Sequence, residues 1–496
     1  MSQDETVLPD LGGPATRDLP SRKIFGHPVG LTTLFGVEMW ERFSYYGMAT
    51  ILAYYLYYSL DQGGLGLPQA TATGIVGAYG GTVCLCTVLG GWLADRLFGM
   101  ERTLFYGGVV VVLGHLALAV LPGLPGVGVG LVLVALGSGA LKANASSLLG
   151  SLYEPGDPRA DGGFTLFYLG INLGSFIGPI TTGLLQQSWG FHVGFGAAAI
   201  GMTIGLVQYA VFRRNLGTVG RAPTNPLPRS AYGRTAGIGA AVVMVVALVL
   251  ITGIVPLAQV SYAIAVVLAV GALGYFTLML RSSRVGAGER TRVRAFIPLF
   301  LANVAFWALL LQILTTLAVY SDERINRNVF GWTAPSSFIG SLEPIWVIVL
   351  SGVFAALWTR LGTRAPSTPR KFAFGVIGMG IAFSMFLLFA GGSGTSTPVV
   401  AVVFILGLFA VSELLVSPIG LSVTTKLAPQ AFRSQMMALY FMSIGIGAAL
   451  SGTLAGFYSA EDEAAYFGVN GAVVIAIGLV MFALAPWISR HMEGVH

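Results

Sequence analysis

Between residues 34 and 488 the chain is written as a succession of apolar runs, each close to the length that crosses a lipid bilayer. A helix rises about 1.5 Å per residue and the hydrocarbon core is about 30 Å thick, so about 20 consecutive apolar residues make a span. Runs of that kind fall at 34–58, 72–94, 103–122, 127–150, 164–185 and 190–212. A polar, proline-bearing connector follows, RRNLGTVGRAPTNPLPRSAYGR, and then two bland runs at 235–257 and 260–280. After RSSRVGAGERTRVR six more come at 295–320, 337–360, 371–391, 398–418, 434–458 and 466–488. The expected fold is an all-α polytopic membrane protein with fourteen spans: two six-helix bundles and two extra connector helices.

Composition supports the same class. Mean hydropathy is +0.78 and only 10% of the residues are charged, where soluble proteins carry about a quarter. The 68 glycines suit helices that approach closely in lipid. The first thirty residues hold Asp4, Glu5, Asp10 and Asp18 without an apolar core, so they read as a cytoplasmic tail and not as a signal peptide. A net charge of +6 does not point to nucleic acid, because the basic residues lie between spans. With the amino terminus inside, all of the 27 Lys and Arg except Arg42, Lys142, Arg324 and Arg327 fall in cytoplasmic segments. That bias places both termini in the cytoplasm of a bacterial cell and the chain in its cytoplasmic membrane. The expected divisions are a tail at 1–33, a bundle at 34–213, a connector at 214–294, a bundle at 295–489 and a tail at 490–496. Cys84 and Cys86 share one apolar run and lack further metal-ligand partners, so packing is expected of both and no metal site is.

The ionisable residues well inside the spans are few: Glu38, Glu41, Arg42, Lys142, Glu343 and Glu413. Each costs roughly 2.5–3.5 kcal/mol at a helix centre unless paired or wetted, so intramembrane charges mark transport pathways. Glu38, Glu41, Arg42 and Tyr45 in EMWERFSYYG lie at helical offsets of 0, 3, 4 and 7, on one face, with Tyr46 beside them. A structural ion pair accounts for Glu41 and Arg42 alone, but not for six charges drawn from both halves. Four acids against two bases form a set that holds protons or attracts a cationic group. The expected function is transport and not enzyme catalysis, since no nucleophile–base pair emerges from the spans. Short basic loops at equivalent positions, GGWLADRLFGMERT after the second span and LWTRLGTRAPSTPRK after the eighth of the twelve bundle spans, suggest parallel repeats with a site between them near the midplane.

The GGWLADR loop resembles the signature loop of the major facilitator superfamily, with Gly91, Asp95, Arg96, Gly99 and Arg102 in place and the usual basic pair replaced by Met100 and Glu101. ExxERFSYYG at Glu38–Gly47, GSGALKANASSLLGSLY, DGGFTLFYLGINLGSFIGP, SELLVSPIGLSVTTKLAP and RSQMMALYFMSIG are similar, in order, to the motifs of the proton-coupled oligopeptide transporter (POT/PTR2) family. The resemblance implies proton-driven import of di- and tripeptides by a chain that works as a monomer, with protons as coupling ion and no cofactor. It implies proton coupling at Glu38, Glu41, Arg42 and Lys142. It places peptide contacts at Tyr45, Tyr46, Tyr79, Lys142 and Asn172 from the first half. From the second half it places them at Trp307, Gln312, Glu413, Ser417 and Tyr440, with Glu413 receiving the amino terminus. Lys142 and Glu413 then form a dipolar clamp for a zwitterion. The alternatives are the same scaffold carrying nitrate or a peptide-like drug, and a peptide sensor that does not transport.

Three positions depart from the family pattern. YYGMAT puts Ala49 where many members have Arg, FWALLLQ puts Leu311 where many have Glu, and SLEPIW puts Glu343 where NP is common. Glu343 is expected either to pair with Lys142 or to join Glu413 at the peptide amino group. Among the remaining signals, His115 is expected to be a satisfied packing residue. Tyr54, Tyr55, Tyr57 and Tyr58 are read as an interfacial aromatic belt, and the charges of YSDERINR as solvated.

Overall fold

The computed structural model describes residues 23–492 apart from 25, 155, 156 and 158. Most of the 1–33 tail and the end of the 490–496 tail lie outside the described residues. In chain order the helices are α1 (Gly30–Tyr57), α2 (Gln69–Leu93), α3 (Met100–Val120), α4 (Gly123–Ser151), α5 (Ala160–Trp189), α6 (Phe191–Phe212), α7 (Tyr232–Thr252) and α8 (Val260–Arg281). They continue as α9 (Ala287–Leu310), α10 (Thr316–Glu323), α11 (Ile339–Leu361), α12 (Thr368–Ser384), α13 (Val399–Leu427), α14 (Arg433–Ala455) and α15 (Glu463–His491). The strands are pairs of residues at helix ends, such as Ile325–Asn326 beside Thr397–Pro398.

Among the described residues twelve helical segments are long and apolar enough to cross a membrane, with α9 and α10 counted as one, Ala287–Glu323. Two other long helices, α1 with 28 residues carrying the charged stripe and α7 with 21, stand where the other two spans were expected but are not among these twelve. The seventh bundle span differs from a plain run. It breaks after Leu310 into a 3-10 turn, Leu311–Leu314, and Thr315 leaves helical geometry at φ −121° and ψ −94° before α10 begins.

Alternation along the chain puts the start of α1 and the end of α15 on one face, here the terminal face, and the α1–α2 loop on the opposite, distal face. Within α1–α6 the helix pairs α1–α5, α1–α6, α2–α4, α3–α4 and α3–α6 are packed together. The corresponding pairs recur in the second set as α9–α14, α9–α15, α11–α13, α12–α13 and α12–α15. The two sets meet through α2–α14 and α5–α11, which exchange with each other under the same correspondence. This is the packing expected of parallel repeats related by an axis along the membrane normal. α8 packs on both α2 and α14, whereas α7 touches little beyond its own preceding turn.

Close approach explains the glycines at these crossings. A Cβ at Gly77 would stand 2.6 Å from the Cα of Gly452, and one at Gly174 would collide with the Met39 carbonyl. Small residues of this kind bring transmembrane backbones into van der Waals contact. Each set has its own apolar core. Leu34, Met48, Leu52, Val83, Leu141 and Phe195 belong to the first, and Phe306, Phe383, Phe386, Phe409, Leu439 and Phe467 to the second.

Candidate functional site

The charged stripe of α1 is buried in the first set. Arg42 donates from Nε at 2.8 Å and Nη2 at 2.6 Å to one oxygen of Glu38, and its Nε lies 3.3 Å from Glu41 Oε2. All three side chains are nearly inaccessible. The cause is α1's own periodicity, because residues four apart stack along one face. One guanidinium thus stands against two carboxylates. Glu38 Oε2 and both oxygens of Glu41 have no hydrogen-bond partner among the described residues.

Lys142, from α4, completes this group. Its Nζ lies 5.0 Å above the Tyr45 ring, a cation–π contact, and it feels the fields of Arg42, Glu41, Glu38 and Cys84. Tyr45 stacks on Tyr79 of α2, with centroids 5.6 Å apart, and meets Tyr46 edge-on at 5.1 Å. Apart from Asn172, the proton-coupling and substrate candidates of the first set therefore form one contiguous wall.

A second group crosses between the sets. Glu343 of α11 lies within electrostatic reach of Glu413 of α13, and Tyr168 of α5 reaches Glu413 Oε1 at 3.5 Å. Tyr46 lies within electrostatic reach of Arg42 on one side and of Glu413 and Glu343 on the other, so it joins the two groups. Tyr440 of α14 also faces Glu413 and donates to the Ser417 carbonyl at 3.1 Å. Packing of Val347 with Ala410 and Leu414 holds α11 against α13 in the register that puts both acids on the same side of this group. Of the two placements expected for Glu343, the structure takes the one beside Glu413, and Lys142 stays with the α1 stripe.

The other candidates are placed as follows. Asn172 Nδ2 is engaged by the Tyr168 carbonyl at 2.9 Å. Gln312 sits in the 3-10 break; its Oε1 accepts from Tyr466 at 2.7 Å, while its Nε2 has no partner among the described residues. The same is true of Trp307 Nε1 and Tyr79 Oη. Ala49 is wholly buried in the first core, so no charged group takes the place of the missing Arg there.

Gly91, Asp95, Arg96, Gly99 and Arg102 lie at the α2–α3 junction. The loop grips the connector: Thr224 Oγ1 donates to Asp95 at 2.9 Å, and the amides of Asn225 and Leu227 donate to the carbonyls of Asp95 and Arg96. Gly99 has φ +82°, and a Cβ there would stand 2.6 Å from the carbonyls of Gly220 and Arg221, so only glycine fits. Glu101, read as a weakening of the motif, is buried and paired with Arg213, just after α6, at 2.8 Å.

Several sequence expectations need correction. Tyr54, Tyr57 and Tyr58 are not a lipid belt: Tyr54 donates to the Ala318 carbonyl, and Tyr57 and Tyr58 donate to the two oxygens of Asp322, each at 2.9 Å. Tyr55 is buried against Phe191 and Phe195. Nor are all the charges of YSDERINR solvated: Glu323 is exposed, but Asp322 and Arg324 are engaged. Asp322 also accepts from Ser336 at 2.7 Å, and Arg324 is buried in a two-pronged pair with Glu463 at 2.6 and 3.1 Å. His115 is fully buried, yet neither ring nitrogen has a partner among the described residues, so it packs without being satisfied. Tyr168 was missed altogether, although its position four residues before Asn172 on one helix face was a usable signal.

Contacts of Tyr54 with the Ala318 carbonyl, of Gly77 with Gly452, and of Ser337 and Ser341 with the Pro179 and Phe176 carbonyls join the two sets in the distal halves of α1, α2, α5 and α14. The structure is closed at the distal face.

Comparison with known proteins agrees with this architecture. The POT family model matches residues 101–473. The uncharacterized transporter YclF of Bacillus subtilis (strain 168) is 42% identical over 97% of this chain and 98% of its own. The di-/tripeptide transporter of Lactococcus lactis subsp. cremoris is 41% identical, with 96% and 98% covered. A crystal structure of a peptide transporter POT variant in complex with alafosfalin superposes with a TM-score of 0.90 at 43% identity, covering 96% of this chain and 98% of that one.

Proposed function

Since the chain belongs to the POT family, we propose that it is a proton-driven symporter that imports di- and tripeptides by alternating access of its two helix sets. The observation that carries this reading is the continuous polar wall from Glu38, Glu41, Arg42 and Lys142 through Tyr45 and Tyr46 to Glu413 and Tyr168. It runs from one set into the other, where a solute bound between them feels both. The name of the Lactococcus relative and the ligand of the alafosfalin complex support peptides and peptide-like molecules as the substrate class.

In this reading Glu413 takes the substrate ammonium, while Lys142 and the tyrosine hydroxyls offer the carboxylate and peptide groups their partners. Aromatic walls accept varied side chains because packing on a ring needs no fixed donor pattern. The acidic character at Glu343 and Glu413 favours an ammonium-bearing solute over nitrate. The α1 stripe couples protons: a proton taken by Glu41 or Glu38 releases Arg42 from one of its two acids and changes what faces Lys142. The distal face, closed here, is assigned to the cell exterior, which puts both termini in the cytoplasm.

The test uses purified protein in liposomes with labelled dialanine. Exchange of internal for external dialanine, competed by unlabelled peptide and not by nitrate, is the expected result. Competition by nitrate alone would replace the substrate class. Binding of dialanine without exchange would leave a sensor.

A further inference from the structure

We propose that a cavity behind α13, at the terminal-face end of the second set, binds an anionic glycerophospholipid, with the phosphate between Lys371 and Lys426 and one acyl chain along an apolar floor. The site is independent of which solute the chain transports.

The cavity has a volume of about 240 Å³ and opens between the end of α11 and the start of α12, with α13 as its floor and Met492 at its rim. Its charges gather at the terminal-face end. Lys371 comes from the start of α12 and Lys426 from the last turn of α13, and Thr368 and Ser422 line the same cavity with hydroxyls. No acid lines it, and the sequence has none between Glu343 and Glu413 or between Glu413 and Glu461. Lys371 Nζ stands 4.0 Å over the Trp358 ring and is in no ion pair among the described residues. The ring face takes one side of the ammonium, which leaves N–H donors for an anion. α12 begins at this mouth without a side-chain cap, so the positive end of its dipole adds to the lysine field. Arg360, Arg364 and Arg370, all exposed on the adjoining turns, extend that field.

The rest of the cavity is apolar and runs into the membrane. Leu414, Pro418 and Ile419 form its floor. At about 1.5 Å per residue, Leu414 lies about 18 Å along α13 from Lys426, close to one leaflet of a hydrocarbon core about 30 Å thick. Beside the cavity, Val353 and Leu357 on α11 and Phe374 on α12 are exposed, as surfaces that meet lipid are. Ser417 and Gly420 face Tyr440 of α14, whereas Pro418, Ser422 and Lys426 fall on the opposite side of the helix. The cavity is therefore separate from the polar wall between the sets. A small soluble anion would use only its basic mouth; a floor one leaflet deep matches an acyl chain, and basic pockets between spans select anionic headgroups.

The experiment is native mass spectrometry of the full chain in detergent, titrated with phosphatidylglycerol or with phosphatidylcholine of the same acyl chains. It compares wild type, K371Q/K426Q, S422W and R281Q/R284Q. The last removes two exposed charges at the end of α8, away from the cavity. A basic residue beside an anionic lipid contributes about fivefold to binding. K371Q/K426Q is therefore expected to weaken phosphatidylglycerol about tenfold or more, towards the phosphatidylcholine level. S422W, which keeps both lysines and fills the groove, is expected to weaken it as much, while R281Q/R284Q stays within about twofold of wild type. A smaller loss in K371Q/K426Q overturns the proposal. So does an equal loss in R281Q/R284Q, which would leave only diffuse surface charge. Undiminished binding by S422W, or full displacement of the lipid by equimolar inorganic phosphate, would make this a free-anion site and overturn the lipid assignment.

Discussion

Arg42 is one guanidinium divided between Glu38 and Glu41 on its own helix, all three shielded from solvent. Removing one member of a buried ion pair costs about 3–5 kcal/mol, because the partner's charge stays buried. R42A is therefore expected to lower unfolding stability in detergent by that amount, a loss visible by differential scanning fluorimetry at neutral pH. E41Q should be milder, since Arg42 keeps its fork on Glu38. It is expected to abolish concentrative uptake and to leave dialanine exchange at least partly intact; a variant that still concentrates peptide normally would remove Glu41 from the coupling role. This stripe was legible in the sequence because its logic is local, with a spacing of 0, 3, 4 and 7. Tyr168 and the closeness of Glu343 to Glu413 were harder to read. Each acid stood out as a charge in a span, but their nearness depends on the register of α11 against α13, which no local pattern encodes.

Helix ends supply the distal closure. Tyr57 and Tyr58 on α1 donate to Asp322 on α10, which Arg327 and Ser336 also contact. A hydrogen bond to a charged acceptor contributes about 1.5–3 kcal/mol, and water replaces much of that when the gate opens. The Y57F/Y58F double variant should shift the closed–open balance towards a distal-open state by about tenfold or more. Spin labels at Leu60 and Phe330, both exposed at that face, would report a new longer distance; an unchanged distribution would deny these phenols a gating role.

The neighbouring Arg324–Glu463 pair joins the end of α10 to the start of α15 within the second set. E463Q should therefore cost about 3–5 kcal/mol of stability without opening the gate. These partners lie 139 to 265 positions apart, so the tyrosine cluster read as a membrane belt and the charges as solvated.

At the terminal face, Arg159 holds Asp157 through two side-chain hydrogen bonds and reaches the Gly26 carbonyl. That contact pulls the Asp157 carboxyl down to about 2. A depressed carboxylate contributes above its ordinary value, near 3.8, and loses its contribution as pH falls through about 2. This tether is thus constant from pH 5 to 8, and D157N should leave the pH profile of dialanine transport unchanged; a changed profile would place Asp157 in the coupling machinery.

Across the whole molecule, five helix pairings recur in both sets, and the two contacts between the sets exchange under the same correspondence. A molecule built so has two equivalent ways to close around its middle, which is what alternating access requires. The run-length pattern and the paired basic loops made this plan readable, because each span declares itself in about 20 residues. The position of α8 was not readable from an evenly apolar run. Its Ser261 hydroxyl donates to the Ala449 carbonyl, and its Ile264 and Leu268 lie against Gly81 and Gly445. α8 thus rests on the α2–α14 crossing that must part for distal opening. The central claim is that proton and peptide move together through the wall between the sets. Its most direct test is the steady-state dialanine ratio across liposomes, measured against the imposed pH difference with the membrane potential held at zero. The account predicts a ratio that rises at least about tenfold for each pH unit, whereas a ratio that stays at one while exchange proceeds would contradict it.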